Sequence, residues 1–326
     1  MAKKGLLVIV VVLLLTIGCT SSVPESSSAP ESNPTSESNP KIRYLPDGHM
    51  VLLQSSGVNE AVTFPDAYLE MTIREEPEDM AILAEGESIY TTDLEELLYL
   101  EAPSRNITDL TGIENCINLQ FVDLRWNNVS DVSYLARLPG VTVINQDEEG
   151  SEIGRYTFLR LELDWNQIRD TTPLSNLSST DYLSIDLSGN GISNVTQLSS
   201  LSGLRHLYLQ YNDIEDVSAL GELSNLTILA LGENHIEDVS ALAQCPLLTS
   251  LSLWNNEITD ISPLTELENL TQLTLDWNLI SELPSLLGKW QQMTTLILSY
   301  NQIKDASAVK DLPETCEVVL KGNPLE

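Results

Sequence analysis

Apolar residues recur in one short pattern along most of the chain. From Leu248 to Leu253, in LTSLSL, leucines alternate with small polar residues, as in a β-strand that buries one face. Asn256 ends this run, and apolar residues then fall at a wider spacing from Ile258 to Leu264, in a segment that also holds Asp, Ser and Pro. This second half predicts a turn and a short helical return of the 3₁₀ type.

Ten copies of this unit can be aligned on the asparagine. Neighbouring copies from Asn190 to Asn278 are separated by 22 residues, whereas the step from Asn127 to Asn166 is 39 residues. An atypical first copy has Arg105 in the asparagine position. Because no copy can bury its apolar face alone, we expect the copies to stack around one continuous core. The asparagines are Asn127, Asn166, Asn190, Asn212, Asn234, Asn256, Asn278, Asn301 and Asn323.

The repeat L-x-x-L-x-L-x-x-N-x-L, followed by I-x-D-I/V-S-x-L, resembles the 22-residue leucine-rich repeats of the internalins. The resemblance extends from about Phe64 to the C-terminus. It implies an α/β leucine-rich-repeat solenoid, with a parallel β-sheet on the concave face, short 3₁₀ or irregular turns on the convex face and a helical N-terminal cap. In that family the concave face engages cell-surface or envelope partners, so the resemblance implies protein binding.

The N-terminus has the pattern of an export signal. Lysines precede an apolar run, Leu6 to Ile17, which is too short for a comfortable membrane span. The following Gly18-Cys19 resembles a bacterial lipobox, which implies cleavage before Cys19 and lipidation of its thiol; an ordinary secretory signal or an uncleaved anchor is the alternative. The next stretch is rich in Ser, Pro and Glu and predicts a disordered tether. We expect an exported protein, held to the outer face of the cell membrane or cell surface by its lipid only.

Local signals organise the residues between the tether and the array. Asp66 suits the start of a helix, and Thr92 with Glu95 forms a capping box before another. An earlier segment alternates around Pro-Asp-Gly, which predicts a β-hairpin or an extension of the tether. The expected divisions are a signal peptide over 1–18, the tether over 19–40, the hairpin or tether extension over 41–62, a helical cap over 63–96, and the repeat array over 97–326 with an acidic insertion near 141–157.

The charge of the chain narrows the classes of partner. It has 48 acidic and 16 basic residues, a formal net charge of -32. Such a surface repels phosphate backbones, so we expect no nucleic-acid binding and a basic or neutral protein partner. The recurrent Asp of the second half shares one capping position, and the cysteines and histidines lack ligand or catalytic spacing. The sequence therefore indicates neither an enzyme nor a cofactor.

The acidic insertion holds a weak candidate for a metal site. Asn145, Asp147 and Glu149 match positions 1, 3 and 5 of a calcium loop, but Tyr156 stands where such a loop needs a bidentate Glu. We therefore expect a solvated acidic loop, with calcium binding as the alternative.

Some residues at outward strand positions and just before the asparagines are not explained by the repeat. Several are Trp or Tyr where other copies have Ser or Gly, so the core does not require them. Exposed aromatics on a rigid array are typical anchors for a protein partner, and they also suit stacking on sugar rings. We expect a non-enzymatic protein-binding face, with glycan binding or a structural envelope role as alternatives. The candidate residues are Phe121, Arg125, Trp126, Arg160, Asp164, Trp165, His206, Tyr208, Tyr211, Trp254, Trp277 and Tyr300.

Overall fold

The alternating leucines form a series of short strands that all bury the same face. The computed structural model describes residues 41–44, 49–75, 86–146, 152–285 and 287–326. The helices are α1 (Ala67–Glu75) and α2 (Thr91–Leu94). The strands are β1 (Lys41–Tyr44), β2 (Met50–Leu53), β3 (Ala61–Val62), β4 (Ile89–Tyr90), β5 (Tyr99–Glu101), β6 (Phe121–Asp123), β7 (Val141–Gln146), β8 (Glu152–Glu162), β9 (Tyr182–Asp186), β10 (Leu204–Tyr208), β11 (Ile228–Ala230), β12 (Ser250–Ser252), β13 (Gln272–Thr274), β14 (Thr295–Ile297) and β15 (Glu317–Val319).

Ten of these strands form the parallel sheet of the array, in the order β5–β6–β8–β9–β10–β11–β12–β13–β14–β15. Equivalent leucines lie in register, so that Leu229 pairs with Leu207 on one side and with Leu251 on the other. All three are at most 1% exposed. The inward leucines therefore build one continuous core, which confirms the predicted solenoid.

Short 3₁₀ helices return the chain from one strand to the next. After Asn256, the 3₁₀ helix Ser262–Glu266 starts where the Asp260 carboxylate accepts a hydrogen bond from the Ser262 N–H, at 2.8 Å. Pro263 suits the first turn, because a proline has no N–H that would need a partner there. The same bond is made by Asp131, Asp170, Asp216, Asp238 and Asp305, so these acids are part of the architecture.

The cap region covers one end of the core with α1. Asp66 begins this helix, and its Oδ1 accepts hydrogen bonds from the N–H groups of Tyr68 and Leu69, at 3.0 and 3.2 Å. Leu69 and Ile73 are fully buried against the core, whereas Tyr68 is half exposed. The predicted helix start at Asp66 is confirmed, and its buried face is narrower than the sequence suggested.

The capping box predicted at Thr92 and Glu95 is wrong. Helix α2 begins one residue earlier, and the Tyr90 N–H donates to the Asp93 carboxylate at 2.8 Å. The Thr92 hydroxyl instead donates to the side chain of Asn59, at 2.9 Å. A tertiary contact has therefore displaced the local capping signal.

The residues before the cap and the inserted residues meet in an antiparallel part of the sheet. Strand β1 pairs with β2, β2 with β7, and β7 with the first half of β8. We call β1, β2, β7 and residues 152–158 of β8 the wing. Its inner face packs Val51, Val141 and Val143 against Leu98. Strand β8 continues from the wing into the array, so the insertion lengthens one repeat strand.

The tryptophan and cysteines that lie outside the candidate face are mostly buried. Trp290 is fully buried, and its Nε1–H donates to the carbonyl of Leu264 at 3.2 Å. Cys116 and Cys245 are buried free thiols, and burial raises the pKa of Cys245 to about 11. Cys316 is free and partly buried. These positions are filled as apolar space, in line with their place in the repeat.

Several expectations fall on parts of the chain outside the described residues. These are the export signal, Cys19, the tether over 19–40, and residues 45–48, where the sequence places the hairpin turn. Among the residues that are described, no helix combines the length and the apolar character needed to cross a bilayer.

Candidate interaction face

The turn at the end of each strand is built on the recurrent asparagine. The Nδ2 of Asn256 donates to the carbonyl of Leu231 in the preceding copy and of Leu253 in its own copy, at 3.0 and 3.1 Å. Its Oδ1 accepts from the N–H of Ile236 at 3.0 Å. One buried side chain thus satisfies backbone groups of two copies. Other copies repeat these bonds, so the asparagines form a structural ladder.

The residue before each asparagine has a left-handed backbone. Gly189 and Gly322 occupy this position with φ of 68° and 83°, which glycine adopts without strain. A residue with a Cβ is disfavoured there by on the order of 1 kcal/mol. Turn geometry alone would therefore favour glycine or asparagine. Large aromatic side chains nevertheless occupy the position, with φ between 55° and 58°, at Trp126, Trp165, Tyr211, Trp277 and Tyr300.

These rings follow one another along the edge of the sheet where the strands end. Trp126 and Trp165 stack with centroids 4.9 Å apart, and Tyr211 lies 5.5 Å from Trp165 and 5.5 Å from Trp254. A separate stacked pair, 4.2 Å between centroids, follows in later copies. We call the set the aromatic row, and it comprises Trp126, Trp165, Tyr211, Trp254, Trp277 and Tyr300. The exposed fractions of its left-handed members are 57% for Trp126, 54% for Trp277, 47% for Tyr211, and 38% for both Trp165 and Tyr300.

Glycines of adjacent copies provide room for the rings. A Cβ built on Gly232 would lie 2.1 Å from Nε1 of Trp254, and one on Gly189 would lie 2.8 Å from the ring of Trp165. Trp254 differs from the other members, because it stands two residues before its asparagine and is half-buried. The rings thus pack sideways on neighbouring copies while most of them keep a large solvent-exposed surface.

The remaining aromatic and basic candidates lie on the strands, behind the aromatic row. Phe121, Arg160, His206 and Tyr208 point outward from β6, β8 and β10 and are all half-buried. The Arg160 guanidinium lies 5.6 Å from the centroid of the Phe121 ring. His206 contacts Tyr182 edge-on, and burial lowers the pKa of His206 to about 4, so this imidazole is neutral near pH 7.

A row of acids also crosses the face, at matched positions on β5, β6, β8 and β9. Glu101 pairs with Asp123, Asp123 with Glu162, and Glu162 with Asp186. We call these four residues the carboxylate row. The set of candidates chosen from the sequence contains none of them. Comparing the outward strand position across four successive copies would have found the row, because the strands stack in register.

The arginines of this part of the face are bound to the carboxylate row. Arg125 donates from Nε and Nη2 to the two carboxylate oxygens of Asp123, at 2.9 and 2.6 Å. This hydrogen bonding, together with the charge of Asp123, raises the pKa of Arg125. Arg160 donates from Nε to Glu162 at 2.6 Å. The two basic candidates are therefore already paired within the free protein.

Asp164 lies beside the carboxylate row without such a partner. One carboxylate oxygen from each of Glu162, Asp164 and Asp186 lies within 4.8 Å of the others. Burial, reinforced by the charge of Asp186, raises the pKa of Asp164 to about 7. Its buried Oδ1 has no hydrogen-bond partner within the described part of the chain. Burial also raises the pKa of Asp186.

The calcium candidate of the insertion is only partly described. Asn145 lies within β7, where its Cα pairs with that of Gly154 on β8. Asp147 and Glu149 lie outside the described residues, so calcium binding at these positions stays a prediction.

Comparison with protein families supports the repeat assignment. The family model described as Leucine Rich repeats (2 copies) matches residues 202–244, and the one described as Leucine Rich repeat matches residues 115–133 and 291–310. The fold is a leucine-rich-repeat solenoid. Neither matching family is a catalytic one. A search of curated protein sequences finds no match.

Solved structures show the same solenoid in internalins from Listeria monocytogenes. Internalin C2 is 27% identical, with a TM-score of 0.58, and the match covers 81% of this chain and 94% of that chain. Internalin InlF is 26% identical, with a TM-score of 0.53 and coverage of 83% and 87%. A functional domain of InlJ that includes a cysteine ladder is 21% identical, with a TM-score of 0.54 and coverage of 81% and 62%, and supports the fold alone. The leucine-rich-repeat solenoid thus has the internalin likeness that the repeat wording predicted.

Proposed function

We propose that this protein is a non-enzymatic surface protein whose concave face binds another protein through the aromatic row. The observation that carries the proposal is the placement of Trp and Tyr on left-handed backbone at exposed positions. Neither the turn nor the core requires these side chains, since Gly189 and Gly322 form the same turn. Rigid, partly exposed aromatics bury a large area against a partner with little loss of conformational entropy. The mechanism is binding by a preformed surface.

The contacts within the aromatic row favour a protein over a glycan as the ligand. A sugar ring stacks flat on an aromatic face, but stacking of Trp126 on Trp165 and of Trp277 on Tyr300 already covers one face of each ring. The ring edges and indole N–H groups remain suited to a protein surface. Glycan binding is therefore kept as an outcome of the test.

The test is crosslinking on intact cells, followed by identification of the captured molecule. We expect the wild-type chain to capture one protein, and the double variant Trp126→Ala/Trp165→Ala to lose that capture. The matched control is Tyr68→Ala, because Tyr68 is 50% exposed on α1, away from the aromatic row. Capture that survives in the double variant, or binding on a glycan array in place of a captured protein, would contradict the proposal.

We also propose that the chain is exported and anchored to the cell surface by lipidation of Cys19, and that its partner is basic or neutral. The Gly18-Cys19 pair, the Ser- and Pro-rich stretch that follows it and the net charge of -32 support this. Globomycin should cause an unprocessed form to accumulate, and Cys19→Ser should give the same form without the drug. Normal processing of the chain in both cases would contradict the anchor.

A further inference from the structure

The two halves of the concave face differ in charge. The carboxylate row and Asp164 place five acids on β5, β6, β8, β9 and the turn that follows β8. Like charges directly opposite each other on neighbouring strands destabilise a sheet, so folding gives no reason for this arrangement. The equivalent outward positions on β11, β12 and β13 are uncharged, and they are Ile228, Ala230, Ser250, Ser252, Gln272 and Thr274.

The acids of the N-terminal half exceed the bases that face them. Arg125 and Arg160 are bound to Asp123 and Glu162. Within the described residues, neither Asp164 nor Asp186 forms an ion pair; Asp186 accepts a hydrogen bond from the N–H of Ser188 at 2.9 Å. The buried Oδ1 of Asp164 accepts none. This part of the face therefore has carboxylate oxygens with unused capacity to accept hydrogen bonds.

Two exposed indoles border the same acids. Trp126 and Trp165 follow Arg125 and Asp164 directly in the chain, and both keep 38% or more of their surface exposed. A cation that lies over an indole face is attracted by the ring quadrupole. Indoles beside carboxylates form a surface complementary to guanidinium groups, which stack on aromatic rings and donate paired hydrogen bonds to carboxylates.

We propose that the N-terminal half of the concave face receives an extended segment of the partner that carries arginine at alternate residues. This inference rests on the proposed protein-binding function. The carboxylate row spans three strand spacings, about 14 Å. Side chains on one face of an extended chain repeat about every 6.7 Å, so arginines at i, i+2 and i+4 span about 13 Å. The segment lies across the strands, with its arginines on the acids and beside Trp126 and Trp165.

The test uses the full-length chain and two labelled, end-blocked peptides of equal charge. One alternates, Ser-Arg-Ser-Arg-Ser-Arg-Ser, and the other is contiguous, Ser-Ser-Arg-Arg-Arg-Ser-Ser. Fluorescence anisotropy is measured near pH 8, where Asp164, with a pKa of about 7, is ionised. We expect the alternating peptide to bind about fivefold more tightly or better, because nonspecific attraction is the same for both. Equal affinities would overturn the spacing and with it the proposal.

Variants locate the binding on the face. Asp164→Asn/Asp186→Asn removes two acids of the proposed site, and we expect about tenfold weaker binding of the alternating peptide. This variant should fold, because it removes repulsion between like charges. Glu215→Gln/Glu237→Gln removes the same charge from exposed positions on the returns, and we expect less than about a twofold change. Equal effects of the two variants would show general attraction to an acidic protein and would overturn the site.

The two proposals can fail separately. If cellular capture depends on Trp126 and Trp165 but the alternating peptide has no preference, the protein-binding function stands and the arginine inference is wrong. If capture does not depend on these tryptophans, the protein-binding function itself fails, and the arginine inference fails with it.

Discussion

The recurrent asparagines and the residues that precede them are neighbours in the same turn, yet they have different roles. Asparagines such as Asn256 are buried and repeat one set of backbone hydrogen bonds from copy to copy. The preceding position keeps one left-handed conformation, but it holds Trp, Gly, Tyr, Glu or Asn. The asparagine is fixed by the groups that it must satisfy. The preceding residue is constrained only in φ, so its side chain is available for binding.

The adjacent asparagines of the copy at 255–256 test this division with the largest expected effect. Asn256→Ala leaves buried backbone groups of two copies without partners, and we expect the free energy of unfolding to fall by about 3 kcal/mol. Asn255→Ala removes an exposed bond to Glu233, and we expect a loss of about 1 kcal/mol or less. Urea unfolding followed by circular dichroism measures both. Equal losses would contradict the division.

A double-mutant cycle examines how the aromatic row is seated on the array. Gly232→Ala places a methyl group against the ring of Trp254, and we expect it to lower the free energy of unfolding by roughly 1–2 kcal/mol. In a Trp254→Ala background the same change should have almost no effect, because the clash is gone. Urea unfolding of the four chains gives the coupling energy. An unchanged effect of Gly232→Ala in both backgrounds would show that the glycine is needed for another reason.

Asp164 should trade stability of the free protein for binding. Its pKa is raised in the folded state from 3.8 to about 7, so the folded chain binds this proton more tightly than the unfolded chain. Stability is therefore lost as the pH rises through this interval. Asp164→Asn lacks the ionisation. We expect no stabilisation near pH 4 and about 1 kcal/mol near pH 8, a value reduced for the partial solvent exposure of the group. Urea unfolding at several pH values measures the difference, and a constant difference would contradict it.

The smallest expected effect concerns the backbone under the aromatic row. Trp277→Gly removes the ring contact with Tyr300 but also relieves the left-handed strain, so the free energy of unfolding should change by less than about 1 kcal/mol. Trp277→Ala loses the same contact without this relief, and it should be less stable than the glycine variant by about 1 kcal/mol. Thermal unfolding of both chains provides the check. An alanine variant as stable as the glycine variant would argue against strain at this position.

The sequence predicted the solenoid because the architecture is periodic. Equal spacing of Asn190 to Asn278 is enough to place the inward leucines, the asparagine ladder and the capping acids. The wing was not predictable in the same way, because β2 pairs with β7 across almost the whole cap and the first copies, and no local period records that pairing. The choice of Tyr90 over Thr92 at the start of α2 likewise depends on a contact with Asn59.

The candidate face was predicted in part. The tryptophans and tyrosines could be recognised as surplus to the repeat, since glycine replaces them in other copies. Their left-handed backbone could not, because it belongs to the turn and not to the residue type. The carboxylate row depends on strand register between copies, so single residues such as Asp186 carry no sign of it along the chain.

The most direct test of the central claim measures partner affinity and the free energy of unfolding on the same chain, Trp126→Ala/Trp165→Ala. If the aromatic row serves binding, the affinity for the captured partner falls by about a hundredfold or more while the free energy of unfolding changes by less than about 1 kcal/mol. Unchanged affinity in a chain that is clearly destabilised would show instead that the aromatic row belongs to the architecture.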